Sequence, residues 1–580
     1  MTVKHEMTGI AGSLSARGVS ERSKGALKAA SAGLVLILLG QVPSAEAGVT
    51  LKNGNFNVAY RDIAFQGGMD LNIERTYNSK ANFRGVFGEG WGAWFEPKLT
   101  ETGDGSVLIR EFGGGAELLF SPAKGGLQVD QAVKELTAAA TLHYKMTPAQ
   151  ATTYSDRLRK DFRYRVDEWT KLARLKVIKA RENKVGTQFT TTQFNYQFLT
   201  RMADGYVRNF ENGKVERYDL QGRLSKVTDR AGNFINLAYE GERLKTISDN
   251  AGHRLNFTFT AAGLVEKIEG DAGKVAVYRH NAAGQLVYTK DSYGNEYNFK
   301  YTTDGRNFIT EIGYSDKTSM QIAYFGADKG DGVKTVKDRD GSVTEYEYMR
   351  TAADPDHFSV SYRVKSPDEK DLSSRGYEYF LRHRQDGSEW THKMISTEDG
   401  EKTETVYNEC CGLPLIIKRG TEETSFEYDT RGRVVRKTTP YDETRLVYDP
   451  KAGKVSKVTK FSKASKAQKL VSEFKYDEKA NLIFAKNSRG KGVTLAYDSQ
   501  NRIMSMRDSQ KRTINFKYNS LSRPVEITDP ALGSIQVTYG KGGEIQKVDS
   551  PAGRKIAMQV TAAFQELLDL IRPAGVSLSL

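Results

Sequence analysis

One sequence unit recurs along much of this 580-residue chain and constrains its fold more than any other feature. The unit joins a Tyr-Asp-x-x-Gly-Arg-Leu turn to a second turn that contains glycine, with short runs of alternating polar and apolar residues between them. Tyr476, Tyr497, Tyr518 and Tyr539 follow one another at steps of 21 residues. Self-similarity at a fixed spacing marks stacked supersecondary units, none of which buries its apolar face alone. The period therefore predicts a repeat protein.

The residues of each unit predict a β-hairpin. In the first turn, Asp219 can accept hydrogen bonds from the backbone of its own turn, and Gly222 can take a positive φ. Runs such as 233–239 place apolar residues on one face, as half-buried antiparallel strands require. The predicted fold is mainly β, a long antiparallel meander of hairpins that forms a curled sheet or partial shell. Because the Tyr, Asp and Gly recur in every unit, we assign them to the core and the turns and not to a catalytic site.

The repeat resembles the YD repeat of the RHS family, which includes bacterial RHS proteins, wall-associated proteins, the shell subunits of toxin complexes, and teneurins. We assign residues 186–555 to these repeats. Residues 48–127 resemble the β-rich domain that stands before the repeats in many RHS proteins, through an Arg-x-Tyr-Asn-Ser strand end at 75–79 and a Phe-Gly-x-Gly-Trp turn at 87–91. Within that domain, Trp91 and Trp94 are interpreted as core anchors, with a sugar-binding platform as the alternative.

The two ends of the sequence predict export and an end without a toxin domain. Lys24 and Lys28 flank the apolar run 29–40, and an Ala-x-Ala site ends at Ala47, so residues 1–47 are predicted to be a signal peptide. We expect a secreted, periplasmic or cell-surface bacterial protein with no transmembrane segment after cleavage. Residues 556–580 are predicted to cap the last strand. Family members that carry toxins continue into a further domain, so the resemblance implies a chain that lacks one.

A helical hairpin is predicted at 128–185, where the strand alternation stops. Apolar residues recur at helical spacing over 128–146 and over 148 to about 184, and Thr147 and Pro148 provide an N-cap and a first-turn proline for the second helix. Residues 131–185 hold 13 Lys and Arg against 6 Asp and Glu. Their basic face is either a solvated surface or a patch for an anionic partner. The patch would consist of Arg157, Arg159, Lys160, Arg163, Arg165, Lys171 and Arg174.

The chain has two cysteines, Cys410 and Cys411, which are adjacent. Neighbouring Cα atoms lie about 3.8 Å apart, below the usual disulfide range that begins near 4.4 Å. A disulfide between these residues would be strained. Three states stay open on the sequence alone: free buried thiols, the strained vicinal disulfide, and disulfides to another molecule.

Known catalytic motifs are not found in the sequence, which also predicts no cofactor and no metal site. The repeats and the insertion favour a non-enzymatic secreted or envelope protein that acts as a binding or structural scaffold for a protein, glycan or surface. Two alternatives remain: a partial shell that carries a separately encoded, toxin-like polypeptide, and a polysaccharide-active enzyme. The formal charge is +14, but nucleic acid is not an expected partner of an exported chain.

Overall fold

The computed structural model describes residues 46–549, except for short stretches at 82, 112–115, 180–181, 192–195, 352, 385–387, 399, 466–468, 521, 531–532 and 541–544. The predicted capping tail at 556–580 lies outside the described residues. So does the predicted signal peptide, apart from its last two residues, which belong to the first strand.

The first part of the chain holds nine strands, and three helices follow them. The strands are β1 (Glu46–Thr50), β2 (Asn55–Phe65), β3 (Leu71–Asn78), β4 (Arg84–Gly85), β5 (Gly88–Glu89), β6 (Trp91–Ala93), β7 (Lys98–Glu101), β8 (Val107–Arg110) and β9 (Glu117–Pro122). The helices are α1 (Val129–Tyr144), α2 (Pro148–Lys160) and α3 (Phe162–Arg174).

The rest of the described chain consists of strands joined by short turns. In the first half these are β10 (Gln188–Thr191), β11 (Gln197–Met202), β12 (Gly205–Phe210), β13 (Val215–Tyr218), β14 (Leu224–Thr228), β15 (Phe234–Glu240), β16 (Arg243–Asp249), β17 (Arg254–Phe259), β18 (Val265–Gly270), β19 (Val275–His280), β20 (Leu286–Lys290), β21 (Glu296–Tyr301), β22 (Ile309–Tyr314), β23 (Ser319–Tyr324) and β24 (Val333–Lys337). In the second half they are β25 (Val343–Thr351), β26 (Asp354–Lys365), β27 (Asp371–His383), β28 (Glu389–Glu398), β29 (Glu401–Tyr407), β30 (Pro414–Arg419), β31 (Glu422–Tyr428), β32 (Val434–Thr438), β33 (Asp442–Tyr448), β34 (Val455–Ser462), β35 (Lys469–Tyr476), β36 (Leu482–Asn487), β37 (Gly492–Tyr497), β38 (Ile503–Asp508), β39 (Thr513–Tyr518), β40 (Pro524–Asp529), β41 (Gly533–Tyr539) and β42 (Ile545–Asp549).

Strands β7 to β42 form one 36-strand antiparallel meander, which confirms the predicted fold class. Each strand pairs with its neighbours in the sequence, as a chain of hairpins requires. The sheet as a whole is not closed. Its beginning is curled, because the Leu99 amide donates to the Gly222 carbonyl at 2.9 Å and Lys98 forms a single bridge with Arg223. Gly222 has a φ of +73°, and a Cβ there would lie 2.1 Å from the Leu99 carbonyl oxygen, so this approach needs glycine.

The repeated aspartates shape the turns, as the sequence predicted. In the turn after β37, one carboxylate oxygen of Asp498 accepts from the Arg502 amide at 2.9 Å, and the other accepts from Arg502 Nε at 2.7 Å. The same double contact links further pairs, among them Asp219 with Arg223, Asp291 with Asn295, Asp429 with Arg433, and Asp477 with Asn481. In these turns the residue four positions after the aspartate therefore occupies both oxygens.

The repeated tyrosines tie each hairpin to the one before it. The Tyr497 hydroxyl donates to the Leu482 carbonyl at 2.8 Å, and the Tyr518 hydroxyl donates to the Ile503 carbonyl at 2.8 Å. The strand ladder shifts its register by a bulge at both tyrosines. The bulge turns the ring toward the preceding repeat. Further tyrosines make the same contact, namely Tyr239, Tyr301, Tyr324, Tyr448 and Tyr539.

The first six strands pack against the meander and form much of its core. Strands β1, β2, β3 and β6 make a separate four-stranded sheet, and β4 pairs with β5. Trp91 is completely buried, and its Nε1 donates to the Tyr301 hydroxyl at 3.1 Å. The Tyr77 hydroxyl donates to the Asn307 carbonyl and accepts from the Ile309 amide, both at 3.1 Å. Trp91 is thus a core anchor in the contact between this small sheet and the repeats.

A buried ion pair lies at the centre of that contact. Arg75 Nε donates to Asp62 at 2.8 Å, and both side chains are at most 1% exposed. The same guanidinium donates to the Thr289 hydroxyl at 2.9 Å and lies 4.6 Å from the ring centre of Trp91. The Tyr278 hydroxyl also donates to Asp62, at 2.8 Å. Partners from β2, β3, β19 and β20 therefore meet around one pair of charges.

The meander coils back onto itself, so that early turns touch late ones. Arg230, in the turn after β14, donates from Nε to the Lys479 carbonyl at 3.1 Å. Its own carbonyl accepts from the Asn501 side chain at 3.0 Å. Arg523, in a later turn, pairs with Asp70 of the N-terminal strands at 2.5 Å. These contacts join residues 249 to 453 positions apart, and they make the open sheet a coil.

The helices differ from the prediction in two respects. The first runs over Val129–Tyr144, close to the predicted 128–146. The second predicted helix is two helices that meet at Asp161, whose φ of −121° and ψ of 98° are not helical. The Asp161 side chain accepts from the Tyr164 amide at 2.9 Å, so this residue ends α2 and caps α3. Helix α3 ends at Arg174, ten residues before the predicted end.

Candidate functional site

The helical segment is inserted between two paired strands of one hairpin. Strands β9 and β10 are antiparallel neighbours, with Phe189 opposite Pro122. The Ala123 amide also donates to the Gln188 carbonyl, at 2.9 Å. The chain therefore leaves and re-enters the sheet at adjacent points. Such an insertion can project from the sheet without interrupting its hydrogen bonding.

The three helices have a small core of their own. Helix α1 contributes Ala132, Val133, Leu136 and Ala140, and the other two helices contribute Tyr154, Leu158, Trp169 and Leu172. At the start of α2, the predicted capping box is present: the Thr147 hydroxyl accepts from the Gln150 amide, and the Gln150 side chain accepts from the Thr147 amide. The Tyr154 hydroxyl donates to Glu168 at 2.8 Å and joins α2 to α3. The insertion is thus a packed unit.

Two contacts fix this unit to the loop between β7 and β8. Arg165 reaches Asp104 at 3.4 Å, and its side chain is 3% exposed. Asp104 also accepts from the Thr102 and Ser106 hydroxyls at 2.7 Å and 2.6 Å. Beside it, a Cβ on Gly103 would lie 2.0 Å from the Trp169 ring, so the ring seats directly on the glycine backbone. Arg165 therefore anchors the insertion and lies apart from the exposed basic residues with which the sequence grouped it.

The other six predicted patch residues lie on the outside of the helices. Arg157 stacks on Tyr164, with 3.9 Å between the guanidinium carbon and the ring centre. Acidic neighbours partly offset three of the cations: Arg159 lies 3.5 Å from Asp130, Arg163 lies 3.7 Å from Glu117, and Lys171 lies 3.4 Å from Glu168. Within the described part of the chain, no ion pair involves Lys160 or Arg174. The patch is a mixed surface with an excess of positive charge.

A cleft of about 260 Å³ separates α3 from β7 and β8. Arg110, Lys171 and Arg174 bring positive charge to it, and Asp167 brings a carboxylate. Partial burial raises the pKa of Asp167, and the nearby Glu117 raises it further. The cleft can therefore hold an anionic group among its cations, with Asp167 as the opposing charge.

Cys410 and Cys411 lie far along the sheet, in the turn between β29 and β30. The structure places the two residues as a disulfide, with Cα atoms 3.8 Å apart. The Asn408 side chain accepts from the Cys411 and Leu413 amides, at 3.2 Å and 3.0 Å, and holds the turn. The pairing of the two cysteines stays a prediction, which a thiol titration tests.

Sequence reasoning did not find the residues that seat the insertion. Asp104 precedes Arg165 by 61 residues, and the pairing of Gly103 and Asp104 with Trp169 and Arg165 is tertiary. One signal was present in the sequence, the Thr-Gly-Asp-Gly-Ser run at 102–106. It is a small polar turn without an apolar residue that would require burial. In the described residues, no cluster of His, Cys, Asp and Glu is placed to hold a metal ion.

Two family models match parts of the sequence. One is a domain of unknown function, DUF6531, over residues 47–118, and the other is the teneurin YD-shell, over residues 446–575. The second match contains the tyrosines that recur every 21 residues and donate to the preceding hairpin. These matches confirm the resemblance to YD-repeat, RHS-type proteins.

Solved structures similar to this YD-repeat chain include components of toxin complexes. A crystal structure titled TcdB2-TccC3-TEV matches with 12% identity and a TM-score of 0.43, over 90% of this chain and 29% of that one. The Photorhabdus luminescens Tc holotoxin pore matches with 13% identity and a TM-score of 0.35, over 85% and 29% of the two chains. The YD-repeat chain thus spans less than a third of the length of these proteins. A search of curated proteins finds no match.

None of the helices in the described residues is both long enough and apolar enough to cross a membrane.

Proposed function

We propose that this YD-repeat chain is an exported, non-enzymatic binding scaffold of the bacterial cell surface. The coiled sheet is its rigid frame, and the helical insertion is the element that contacts a partner protein or glycan. The observation that carries the proposal is the placement of α1 to α3. They leave and re-enter the sheet at the paired residues Ala123 and Gln188 and pack as a separate unit.

The chemistry of the repeats supports a frame rather than a catalyst. The aspartates and tyrosines that recur most often are committed to turns and to contacts between hairpins. The Arg75 and Asp62 pair is committed to the contact between the small sheet and the repeats. The insertion, by contrast, exposes cations such as Lys160 and Arg174 that the fold does not require. Exposed positive charge steers anionic partners toward a surface and speeds their association.

A second function is favoured by a different observation. Strands β25 to β29 carry tyrosines that are only half-buried on the face next to the N-terminal sheet, among them Tyr362, Tyr377 and Tyr407. Tyrosines offer large contact areas with adaptable hydrogen bonding. We propose as the alternative that this face contacts a separately encoded polypeptide carried inside the coil.

Replacement of the insertion separates the two functions. Because Ala123 and Gln188 are already paired, an Asn-Gly turn can replace residues 124–187 and close the β9–β10 hairpin. Asp104 keeps its bonds to Thr102 and Ser106 in this variant. We expect the β-sheet signal in circular dichroism to persist without the contribution of the three helices, and binding to the envelope fraction of the source bacterium to be lost. A folded variant with unchanged binding would refute the role of the insertion and favour the carrier.

A charge variant tests the same surface without removing the helices. Five exposed cations of the insertion are changed to glutamine, namely Arg157, Arg159, Lys160, Lys171 and Arg174. The matched control changes five exposed lysines on the outside of the sheet, namely Lys245, Lys267, Lys290, Lys300 and Lys517. Both variants lose five charges, so general attraction weakens equally. We expect the insertion variant alone to lose at least tenfold in affinity, and equal losses would contradict a specific surface.

A further inference from the structure

Strands β26, β27 and β28 are among the longest of the meander and have two different faces. On one face, Phe358, Tyr379 and Met394 pack with Leu51 of the N-terminal segment. In the strand register, Phe358 lies opposite Tyr379, and Tyr379 lies opposite Met394. Side chains alternate along a strand, so the neighbouring residues of each strand point to the other side of the sheet. That side faces away from Leu51.

The other face carries a row of four rings, which we name the outer aromatic strip: His357, Phe380, His392 and Trp390. His357 lies opposite Phe380 in the register, and their rings stack with centres 4.3 Å apart and planes 7° apart. His392 touches Phe380 and Trp390 edge to face, at 6.3 Å and 6.1 Å between ring centres. The strip crosses three strands and stays half-exposed along its length.

Cations flank the outer aromatic strip. Lys393 Nζ lies 4.1 Å from the Phe380 ring centre, and Arg382 lies opposite Trp390 in the register. Arg384 lies 5.9 Å from the Trp390 ring centre. Burial lowers the pKa of His392, and the charges of Arg382 and Lys393 lower it further. Three cations therefore flank the strip, and Glu378 lies 3.4 Å from His357 Nε2 at one end.

Several polar atoms of the strip have no partner in the described part of the chain. Nδ1 of His392 is buried without a hydrogen bond. Arg382 is exposed and forms no ion pair with any described residue. The contact of His357 Nε2 with Glu378 does not have hydrogen-bond geometry. The Trp390 ring, hydrogen-bonding groups and positive charge thus stand together on a half-buried surface of the sheet.

We propose that the outer aromatic strip binds a polysaccharide that carries carboxylate groups. The apolar face of a sugar ring can stack on Trp390, because His357 and Lys393 already cover Phe380. Arg382 and Lys393 can pair with the carboxylates. A protein partner fits less well, because a stable protein interface buries about 800 Å² on each side around an apolar centre. The strip is one ring wide and has cations along it, so its shape fits a linear polymer. No residue of the strip belongs to the helical insertion, so the site adds a second contact to the proposed scaffold.

Affinity electrophoresis of the mature chain tests this site, with polygalacturonate as the probe and dextran as the neutral polymer. We expect polygalacturonate to retard the protein and dextran to leave its mobility unchanged. Trp390→Ala should weaken polygalacturonate binding at least tenfold, and Arg382→Gln about threefold. Tyr441→Ala is the matched control, because Tyr441 is an aromatic residue 66% exposed on another part of the sheet. It should bind like the parent protein.

Several outcomes would overturn the proposal. The first is that polygalacturonate does not retard the protein, and the second is that it retards Trp390→Ala as much as the parent. The third is that polyphosphate retards the parent as much as polygalacturonate does, and that Trp390→Ala does not change this retardation. The five-charge variant of the insertion should keep its retardation, so loss there would assign the binding to the helices instead. Circular dichroism checks the fold of Trp390→Ala. Arg382→Gln changes an exposed side chain, so its polygalacturonate binding is a second test that does not depend on packing.

Discussion

The buried pair of Arg75 and Asp62 gives the sharpest prediction about stability. Arg75→Met keeps an apolar chain against Tyr60 and Trp91 but leaves the Asp62 carboxylate with one hydrogen bond, from Tyr278. Removal of one partner from a buried pair costs about 3–5 kcal/mol, because the remaining charge is uncompensated. Both side chains here are at most 1% exposed, so the full cost applies. We expect the free energy of unfolding of the N-terminal contact to fall by about that amount.

The same two strands contain a matched control. Arg61 and Glu74 form an ion pair at 3.1 Å in which each side chain is 41% exposed. Exposed pairs contribute about 0–1 kcal/mol, so Arg61→Met should have little effect. In the double variant Arg75→Met with Asp62→Asn, no charge stays buried and the Tyr278 bond remains. We expect it to recover at least half of the lost stability.

Urea denaturation followed by tryptophan fluorescence is the suitable assay, because Trp91 lies against Arg75. Loss of Arg75 also makes protonation of Asp62 easier, so the destabilisation should shrink as the pH falls. If Arg75→Met and Arg61→Met shifted the unfolding midpoint equally, the pair would not hold the small sheet on the repeats. A double variant as unstable as Arg75→Met would likewise refute the argument from an uncompensated charge.

Three further predictions concern single groups of the fold. Burial raises the pKa of Glu96 from 4.5 to about 7. The stability that the folded protein gains from the neutral Glu96 carboxyl is therefore fully present below pH 4.5 and is lost as the pH rises to about 7. Glu96→Gln should therefore be more stable than the parent by about 3 kcal/mol at pH 8, at about 1.4 kcal/mol per pKa unit, and identical pH profiles of unfolding would contradict this. Tyr497→Phe removes the bond to the Leu482 carbonyl and should cost about 1 kcal/mol of unfolding free energy, whereas Tyr441→Phe, at an exposed site, should cost less than half as much. If Cys410 and Cys411 are paired as in the structure, thiol titration of the denatured protein should find none before reduction and two per chain after it, and two before reduction would show free thiols.

The features that could be predicted from the sequence are those that depend on residues close together in the chain. An aspartate that bonds to the residue four positions later makes the same turn in many of the repeats, so the hairpins and their 21-residue period could be read directly. The helix break at Asp161 had a local signal as well, since aspartate is a good N-cap, but the continuing apolar spacing outweighed it. The hairpin meander and the position of the insertion were therefore predictable.

Contacts between distant residues could not be read in the same way. Arg165 has the sequence context of its basic neighbours, and only the position of Asp104 shows that it points inward. The coil depends on contacts such as that of Arg230 with Lys479, which no repeat encodes by itself. The outer aromatic strip depends on the register of three strands and on a bulge between Phe380 and Leu381, which places His392 beside its neighbours. Such features follow from packing rather than from period.

Hydrogen exchange of the mature chain, alone and with the component it retains from the envelope fraction, tests the central claim most directly. If the sheet is a frame and the insertion is the contacting element, amides of α1 to α3, over 129–174, should gain protection in the complex. Those of β25 to β29 should exchange as in the free protein. Protection over 343–407 with unchanged exchange over 129–174 would contradict this account and show a carrier that holds its partner inside the coil.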